Sequence, residues 1–295
     1  MSLRKEMLQV ARLARTPLHD VIDLVVQFVL SQLNTDGGFK NRGGESDLYY
    51  TVFGLESLHA LMYEIPVAQT LGYLEQFTKL NEMDLIELCC LARCWSNMPE
   101  GSFDSLLAKS IGDQFECFRT PDGGYCNQRG GTKGTVYHCF MAVAGYQDCL
   151  LEAKQPEDIK KCLDKLQTKD GAYANEVGMT MGTTTSTAAA ESLLRHFQWK
   201  EESSHIAHWL MARQHNKGGF FALPGAPLPD LLSTATALHA LAGLKIPFDL
   251  FKENCLDYVD SLWSNRGGFH GNWLDDQLDC EYTYYGLLAL GHLSL

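Results

Sequence analysis

The sequence predicts an all-α protein in which six helical hairpins close into a double ring, or toroid. Three observations predict this fold: a short glycine-aromatic motif recurs along the chain, an amphipathic helix precedes each copy, and an apolar helix follows it. The chain has 295 residues, of which 45% are hydrophobic and 20% charged, so it has enough apolar material for a large core. We therefore predict that residues 1–295 form a single domain of six repeats, each of about 40–49 residues.

The glycine-aromatic motif sets the length of the repeat. From the second copy onwards its first glycines are 48, 47 and 49 residues apart, whereas the first interval of 86 residues is twice a step of 43. That interval includes a helical segment at 81–97 that lacks the motif, which brings the number of repeats to six. The five copies are Gly37-Gly38-Phe39, Gly123-Gly124-Tyr125, Gly171-Ala172-Tyr173, Gly218-Gly219-Phe220 and Gly267-Gly268-Phe269. Because glycine permits a tight turn between antiparallel helices, we expect these residues to hold the ring together.

Each repeat contains two helices of different character. The first is amphipathic, and its apolar face in the first repeat consists of Val21, Leu24, Val25, Phe28 and Val29. The second is apolar nearly all round, as at 186–190 and 233–237, which is typical of a buried helix. The amphipathic helices should therefore form an outer ring around the apolar ones. The last apolar helix, at 282–295, ends without a polar cap, which favours closure onto the first repeat; an open helical solenoid is the alternative.

Charge and composition narrow the class of protein. The net charge of -12 argues against nucleic acid or an anionic membrane as the main partner. The first 15 residues lack the apolar centre of a signal peptide, and no stretch is long and apolar enough for a membrane span. The ten cysteines form no CxxC pair, so we expect buried free thiols. These features predict a cytoplasmic protein.

The motifs resemble those of protein prenyltransferase β subunits and of squalene and hopene cyclases. The segment Asp36-Gly37-Gly38-Phe39 is followed by Arg42 and by Asp47-Leu48-Tyr49-Tyr50-Thr51, and Asp122-Gly123-Gly124-Tyr125 is followed by Arg129, Lys133 and Tyr137-His138. As in the cyclase repeats, a glutamine precedes several turns, namely Gln32, Gln167 and Gln214. The resemblance covers nearly the whole chain. It implies an (α/α)6 toroid with a central apolar cavity for an isoprenoid chain.

The zinc site of the protein prenyltransferases is not preserved. The resemblance places that family's ligands, an Asp-x-Cys pair and a histidine, at Asp230, Leu232 and Tyr282, and only the aspartate is present. Zinc is therefore not expected. The histidine position is filled instead by His138 in the third repeat, where Asp84 and Glu87 could complete a displaced metal site; a hydrogen-bonded wall histidine is the alternative.

The candidate catalytic residues are acidic groups at the starts of inner helices, together with His138. They are Asp230, Asp279 and Glu281. The Asp-x-Asp-Asp acid of class II terpene cyclases is absent, and the nearest acidic cluster is Asp275-Asp276-Gln277-Leu278-Asp279. For Asp47, Asp230 and Asp279 the alternative role is simple capping of a helix N-terminus.

The candidate substrate-binding residues lie in loops that lead to the inner helices. Arg42, Arg129 and Lys133 fall where the resemblance implies diphosphate binding, and helix N-termini favour anions there. Mg²⁺ could accompany a diphosphate substrate; the alternative for these basic residues is a loop salt bridge to Glu45 or Asp47. The aromatic candidates for the isoprenoid are Tyr50, Tyr137 and Tyr282, and we expect these, with Thr187 and Thr234, to line the cavity.

These observations predict an isoprenoid-handling enzyme that acts on a prenyl diphosphate or a polyisoprenoid. A prenyltransferase-like transferase is the first interpretation and a terpene cyclase the second. A non-catalytic isoprenoid-binding or protein-interaction scaffold on the same toroid is the alternative function, and a toroidal enzyme of other chemistry is a further one. The resemblance also allows a protein partner subunit.

Overall fold

Six helical hairpins follow one short N-terminal helix. The computed structural model describes residues 2–199 and 204–295, and begins with α1 (Leu3–Ala11) and a 3-10 turn at Arg12–Arg15. The hairpins, outer helix first, are α2 (Ile22–Ser31) with α3 (Leu48–Ala60), α4 (Val67–Leu74) with α5 (Leu85–Ser96), α6 (Ser105–Phe115) with α7 (Val136–Asp148), α8 (Pro156–Leu166) with α9 (Thr184–His196), α10 (Ser204–Met211) with α11 (Leu231–Gly243), and α12 (Lys252–Ser261) with α13 (Cys280–Leu293). The described strands, β1 (Phe220–Phe221) and β2 (Pro229–Asp230), pair antiparallel between the two helices of the fifth hairpin.

The inner helices form a closed ring. Each packs against the next in chain order from α3 to α13, and α13 packs back against α3. This confirms the predicted toroid and rules out an open solenoid. Within the described residues no helix is long and apolar enough to cross a membrane. The ten cysteines are free thiols, and eight of them are buried.

All six inner helices begin with a side-chain N-cap. In each, a side-chain oxygen of the capping residue accepts a hydrogen bond from the backbone N–H of the third helical residue. This bond satisfies a donor that the helix itself leaves free. The caps are Asp47, Asp84, Thr135, Thr183, Asp230 and Asp279. The end of the ring where these helices begin, which we call the mouth, therefore carries four carboxylates.

The glycine-aromatic turns fasten each hairpin to the next. Gly37 has φ of 92°, and a Cβ atom there would lie 2.0 Å from the backbone oxygen of Gln69 on α4, so only glycine fits. The aromatic residue of this turn, Phe39, is fully buried against Gly54 on α3. Its backbone N–H donates to the hydroxyl of Thr51 at 2.9 Å.

Thr187 and Thr234 make the same contact as Thr51 in later repeats. Their hydroxyls accept hydrogen bonds from the backbone N–H groups of Tyr173 (3.1 Å) and Phe220 (2.9 Å). Both threonines are fully buried. The prediction that they line the cavity is therefore wrong: they face the turn that joins the two helices of their hairpin, on the side of the inner helix away from the axis.

Helix α1 covers the opposite end of the ring, a role that we did not predict. Its Arg4 reaches three inner helices or their ends, with Nη1 donating to Glu56 (3.2 Å) and Asn97 (2.8 Å), and with Nε lying 3.0 Å from Asp148 Oδ1. A Cβ atom on Gly291 of α13 would lie 2.0 Å from the backbone oxygen of Val10, so the two helices touch closely. We call this covered end of the ring the floor.

Arg42 links the first repeat to the sixth across the closure. Its Nε donates to Asp279 (2.6 Å) and its Nη2 to Asp275 (2.7 Å), while the guanidinium lies 5.2 Å from the centre of the Tyr282 ring. The expected loop salt bridge from Arg42 to Glu45 or Asp47 is not formed; Arg42 pairs instead with Asp275 and Asp279 of the sixth repeat.

We predict that Arg42→Ala destabilises the closed ring by about 2 kcal/mol, because it leaves the buried Asp279 carboxylate without its cation. The measurement is the free energy of unfolding in urea. Lys133→Ala, a change at an exposed lysine, is the control and should alter it by less than about 0.5 kcal/mol. Equal effects of the two substitutions would contradict a role of Arg42 in closure.

Candidate functional site

A cavity of about 280 Å³ lies on the axis of the inner ring, between the mouth and α1. Its lining comes from successive turns of the inner helices, and the helix position of a residue therefore gives its depth. The second residues of four helices form the mouth layer, which consists of Tyr49, Tyr137, Thr185 and Leu232. The floor layer consists of the ninth residues of three helices, Arg93, Ser192 and His239, together with Met7 of α1.

The middle layer is apolar and aromatic. It is built from the fifth and sixth residues of the inner helices, and its larger side chains are Phe53, Phe140 and Tyr285. Small residues on α9, Ala188 and Ala189, leave the space that these rings do not fill. This layer can bind a hydrocarbon chain by excluding water from it.

An acidic group lies directly behind the mouth layer. The Tyr49 hydroxyl donates a hydrogen bond to Glu281 Oε1 at 2.6 Å. Burial raises the pKa of Glu281 to about 7, although the Tyr49 hydrogen bond acts in the opposite direction. A carboxyl group with a pKa near neutral is suited to proton exchange, and its hydrogen-bond partner Tyr49 lines the cavity.

The other two predicted acids act as caps in the structure. Asp230 accepts hydrogen bonds from the backbone N–H (2.7 Å) and hydroxyl (2.8 Å) of Ser233. Asp279 accepts from the backbone N–H of Tyr282 (2.8 Å) and from Arg42. Burial raises the pKa of Asp230. Neither aspartate is among the described residues that line the cavity.

The displaced metal site is not assembled. His138 Nδ1 lies 2.8 Å from the Thr135 hydroxyl, and burial lowers the pKa of this histidine. Asp84 and Glu87 form a capping box with each other at the start of α5, and Asp84 also accepts from Asn127 at 2.8 Å. Across residues 2–199 and 204–295, no three His, Cys, Asp or Glu side chains are arranged to hold a metal ion.

The three cations predicted to bind a diphosphate have different surroundings. Arg42 is neutralised by Asp275 and Asp279 at the ring closure. Arg129 stacks on Phe118, with its guanidinium carbon 4.7 Å from the ring centre, and donates to Gln114 at 2.9 Å. Lys133 is exposed. None of the three is among the described cavity-lining residues.

The aromatic candidates divide between the cavity and its surroundings. Tyr137 lines the mouth layer, whereas Tyr50 packs edge-on against Tyr49, and Tyr282 lies under Arg42. The expectation that Tyr50 and Tyr282 line the cavity is wrong by about one residue of helix rotation. Counting from each N-cap along positions 2, 5, 6 and 9 would have found the lining, since this spacing keeps one helix face toward the axis.

Solved structures of known enzymes share this fold. The type II terpene cyclase MstE from Scytonema, a variant in complex with geranylgeranyl dihydroxybenzoate, aligns with a TM-score of 0.63 at 12% identity, covering 99% of this chain and 98% of that one. An unsaturated glucuronyl hydrolase specific for heparin aligns at a TM-score of 0.58 and 12% identity, covering 98% and 97% of the two chains. Protein geranylgeranyltransferase-I from Candida albicans, in complex with GGPP, aligns at 0.54 and 14% identity, covering 97% and 83%. At such identities the likeness shows the fold alone.

Family membership comes from the sequence itself. A search of curated proteins returned no match. The family model of the prenyltransferase alpha-alpha toroid domain, however, matches residues 13–89 and 186–294, which is more than half of the chain and includes both repeats that meet at the ring closure. The chain therefore belongs to the prenyltransferase alpha-alpha toroid family.

Proposed function

We propose that this protein is an enzyme that binds an isoprenoid chain in its central cavity and acts on it by acid–base chemistry of the terpene-cyclase kind. The observation that carries the proposal is the pairing of an apolar, aromatic cavity with a proton-exchanging group at one end, the Tyr49–Glu281 pair. The family and the shared fold with a terpene cyclase and a protein geranylgeranyltransferase support an isoprenoid ligand.

The aromatic walls suit a substrate that becomes positively charged. Tyr49, Tyr137 and Tyr285 present rings to the cavity together with Phe53 and Phe140. The electron-rich faces of such rings attract a cation, and the attraction is strongest where water is excluded. A carbocation formed from an alkene would therefore be stabilised within the middle layer.

Proton exchange is assigned to Glu281 acting through Tyr49. Burial raises the pKa of the Tyr49 phenol, so it stays protonated. In the structure its hydrogen is donated to Glu281; it can turn toward the cavity when Glu281 is itself protonated and donates to the Tyr49 oxygen. As the phenol releases its proton toward substrate, Glu281 can replace it across the 2.6 Å hydrogen bond; the reverse transfer removes a proton from a product cation. The same pair thus serves as acid or base according to the charge of the substrate.

A prenyl diphosphate fits this mouth less well than an uncharged isoprenoid. Four of the six N-caps at the mouth are carboxylates, and these caps already bind the N–H groups that would attract an anion. Arg42 is neutralised by two carboxylates. The carboxylates that Mg²⁺ would need to hold a diphosphate are engaged as helix caps, so these residues do not fit that ion. The absence of zinc stays a prediction.

Filling the cavity should abolish ligand binding. Ala189→Trp places an indole among the middle-layer rings and should weaken binding of farnesol or geranylgeraniol at least about tenfold, because it occupies the space that the chain needs. Binding is measured by native mass spectrometry and by titration calorimetry. Ala68→Trp, on an exposed face of α4, is the matched control. If a folded Ala189→Trp protein binds as well as wild type, the ligand does not occupy the cavity.

Removal of the Tyr49 hydroxyl should stop chemistry and spare binding. We expect Tyr49→Phe to lower conversion of an isoprenoid about a hundredfold or more, while its affinity changes little. The assay follows consumption of geranylgeraniol, squalene and squalene epoxide by gas chromatography with mass detection. Tyr50→Phe, at the adjacent residue outside the lining, should leave the rate unchanged. Binding without conversion by wild type would instead favour the non-catalytic scaffold.

The raised pKa of Glu281 should be visible in stability. Because the folded protein holds this proton up to about pH 7 and an unfolded chain releases it near its ordinary pKa, the wild type loses stability as pH rises between these values. Glu281→Gln removes this loss. Its free energy of unfolding relative to wild type should therefore increase by about 2 kcal/mol from pH 5 to pH 8.

Urea unfolding at several pH values measures this difference, with Glu45→Gln, a change at an exposed glutamate, as the control. A difference between Glu281→Gln and wild type that does not vary with pH would show that Glu281 titrates normally. The acid–base role would then lose its basis.

A further inference from the structure

The floor of the cavity is polar, in contrast to the layer above it. Arg93 of α5, Ser192 of α9 and His239 of α11 occupy the ninth position of their helices and face the axis at one depth. Seven residues of α-helix separate this layer from the mouth layer, which corresponds to about 10 Å. A hydrocarbon alone gives no reason for a guanidinium at the closed end of an apolar cavity, since burying such a group is costly.

Arg93 has unused hydrogen-bonding capacity. Its Nε donates to Glu56 Oε1 at 2.8 Å, and its Nη2 donates to Glu56 Oε2. The remaining nitrogen, Nη1, makes no hydrogen bond to the described residues. It is also not fully enclosed by them, so part of its surface is accessible. Because Arg93 lines the cavity, we take this accessible nitrogen to face the cavity space. Two N–H donors are therefore free at the floor.

The charge of Arg93 is already balanced. Glu56, which is fully buried, pairs with both Arg93 and Arg4, and Arg4 also lies against Asp148. The Arg93 and Arg4 ion pairs lower the pKa of Glu56 in spite of its burial, and burial raises the pKa of Asp148 to about 6. Both carboxylates are then largely ionised at pH 7, so two arginines face two carboxylates. The floor offers donors without excess positive charge.

The neighbouring floor residues Ser192 and His239 are uncharged, and the Ser192 hydroxyl can accept a hydrogen bond. Ser192 donates to the backbone oxygen of Ala188 at 3.0 Å, which leaves lone pairs of its hydroxyl free. His239 Nδ1 lies 3.1 Å from His292 Nε2, and His239 Nε2 lies 3.8 Å from Glu6 Oε1, so both of its nitrogens have partners. Burial lowers the pKa of both histidine rings, so both are neutral. A ligand group that both accepts and donates would find partners here.

We propose that the floor binds a neutral oxygen group of the isoprenoid, a hydroxyl or carbonyl, through Arg93 Nη1. The ligand then enters with its oxygen at the floor and its hydrocarbon chain directed toward the mouth. This orientation rests on the proposed function, because it requires an isoprenoid in the cavity. It also fixes which carbon of the chain lies beside Tyr49, about 10 Å from the oxygen.

The experiment compares three probes that share one chain: farnesol, farnesene and farnesyl diphosphate. Equilibrium dialysis gives their affinities for wild type and for Arg93→Lys, whose ammonium can still pair with Glu56 but lacks the third nitrogen. We expect Arg93→Lys to weaken farnesol about tenfold, since a hydrogen bond to a charged donor is lost, and to leave farnesene unchanged. Farnesyl diphosphate should bind wild type more weakly than farnesol.

Circular dichroism checks that Arg93→Lys is folded. If it is not, the double variant Arg93→Met with Glu56→Met replaces it, because removing both members of a buried ion pair leaves no unpaired charge between them. Its expected result is the same tenfold loss for farnesol alone.

Three outcomes overturn the proposal, and they can be told apart. If Arg93→Lys weakens the binding of farnesol and farnesene equally, or weakens neither, the floor does not recognise the oxygen group, while the proposed function stands. If farnesyl diphosphate binds more tightly than farnesol, the head group is anionic. If no probe binds wild type, the proposed isoprenoid function fails as well.

Discussion

Packing of α13 against α3 creates the cavity, because an axis enclosed on all sides exists only when the inner ring is complete. The residues near this closure serve several purposes at once. Asp279 caps α13 and binds Arg42 from the first repeat, and two residues later Glu281 binds Tyr49 of α3. The proposed acid is thus held in place by the same junction that closes the ring. Opening of the α13–α3 contact would separate Glu281 from Tyr49 and at the same time expose the cavity.

The opposite end depends on buried charge. Helix α1 seals the floor by inserting Arg4 among Glu56, Asn97 and Asp148, where hydrophobic side chains of similar size would often be at least as stable. Removing any one of the charged partners leaves an uncompensated charge, so the group acts as a unit. The presence of this charged group at the base of an apolar cavity is accounted for if one member, Arg93, binds a ligand, as we propose.

The fold was predictable from the sequence because it repeats. The glycine-aromatic turn fixes the repeat length, and each apolar helix must be buried, which together predicted stacked hairpins in a ring or an open solenoid; packing of α13 on α3 shows the ring. The lining was harder to predict, since residues one apart on an inner helix face different surroundings: Tyr49 lines the cavity while Tyr50 does not. The role of α1 was hidden, because Arg4 and Glu56 are 52 residues apart and only the fold brings them together.

Polarity along the axis distinguishes two ways of handling an isoprenoid. A diphosphate ligand needs concentrated positive charge at one end, whereas here the mouth carries the carboxylate caps Asp47, Asp84, Asp230 and Asp279, and the floor is balanced. A cation generated inside the cavity meets a different situation, since the aromatic faces along the walls lower its energy. Together with the Tyr49–Glu281 pair, these aromatic walls support the cyclase-like chemistry that we propose.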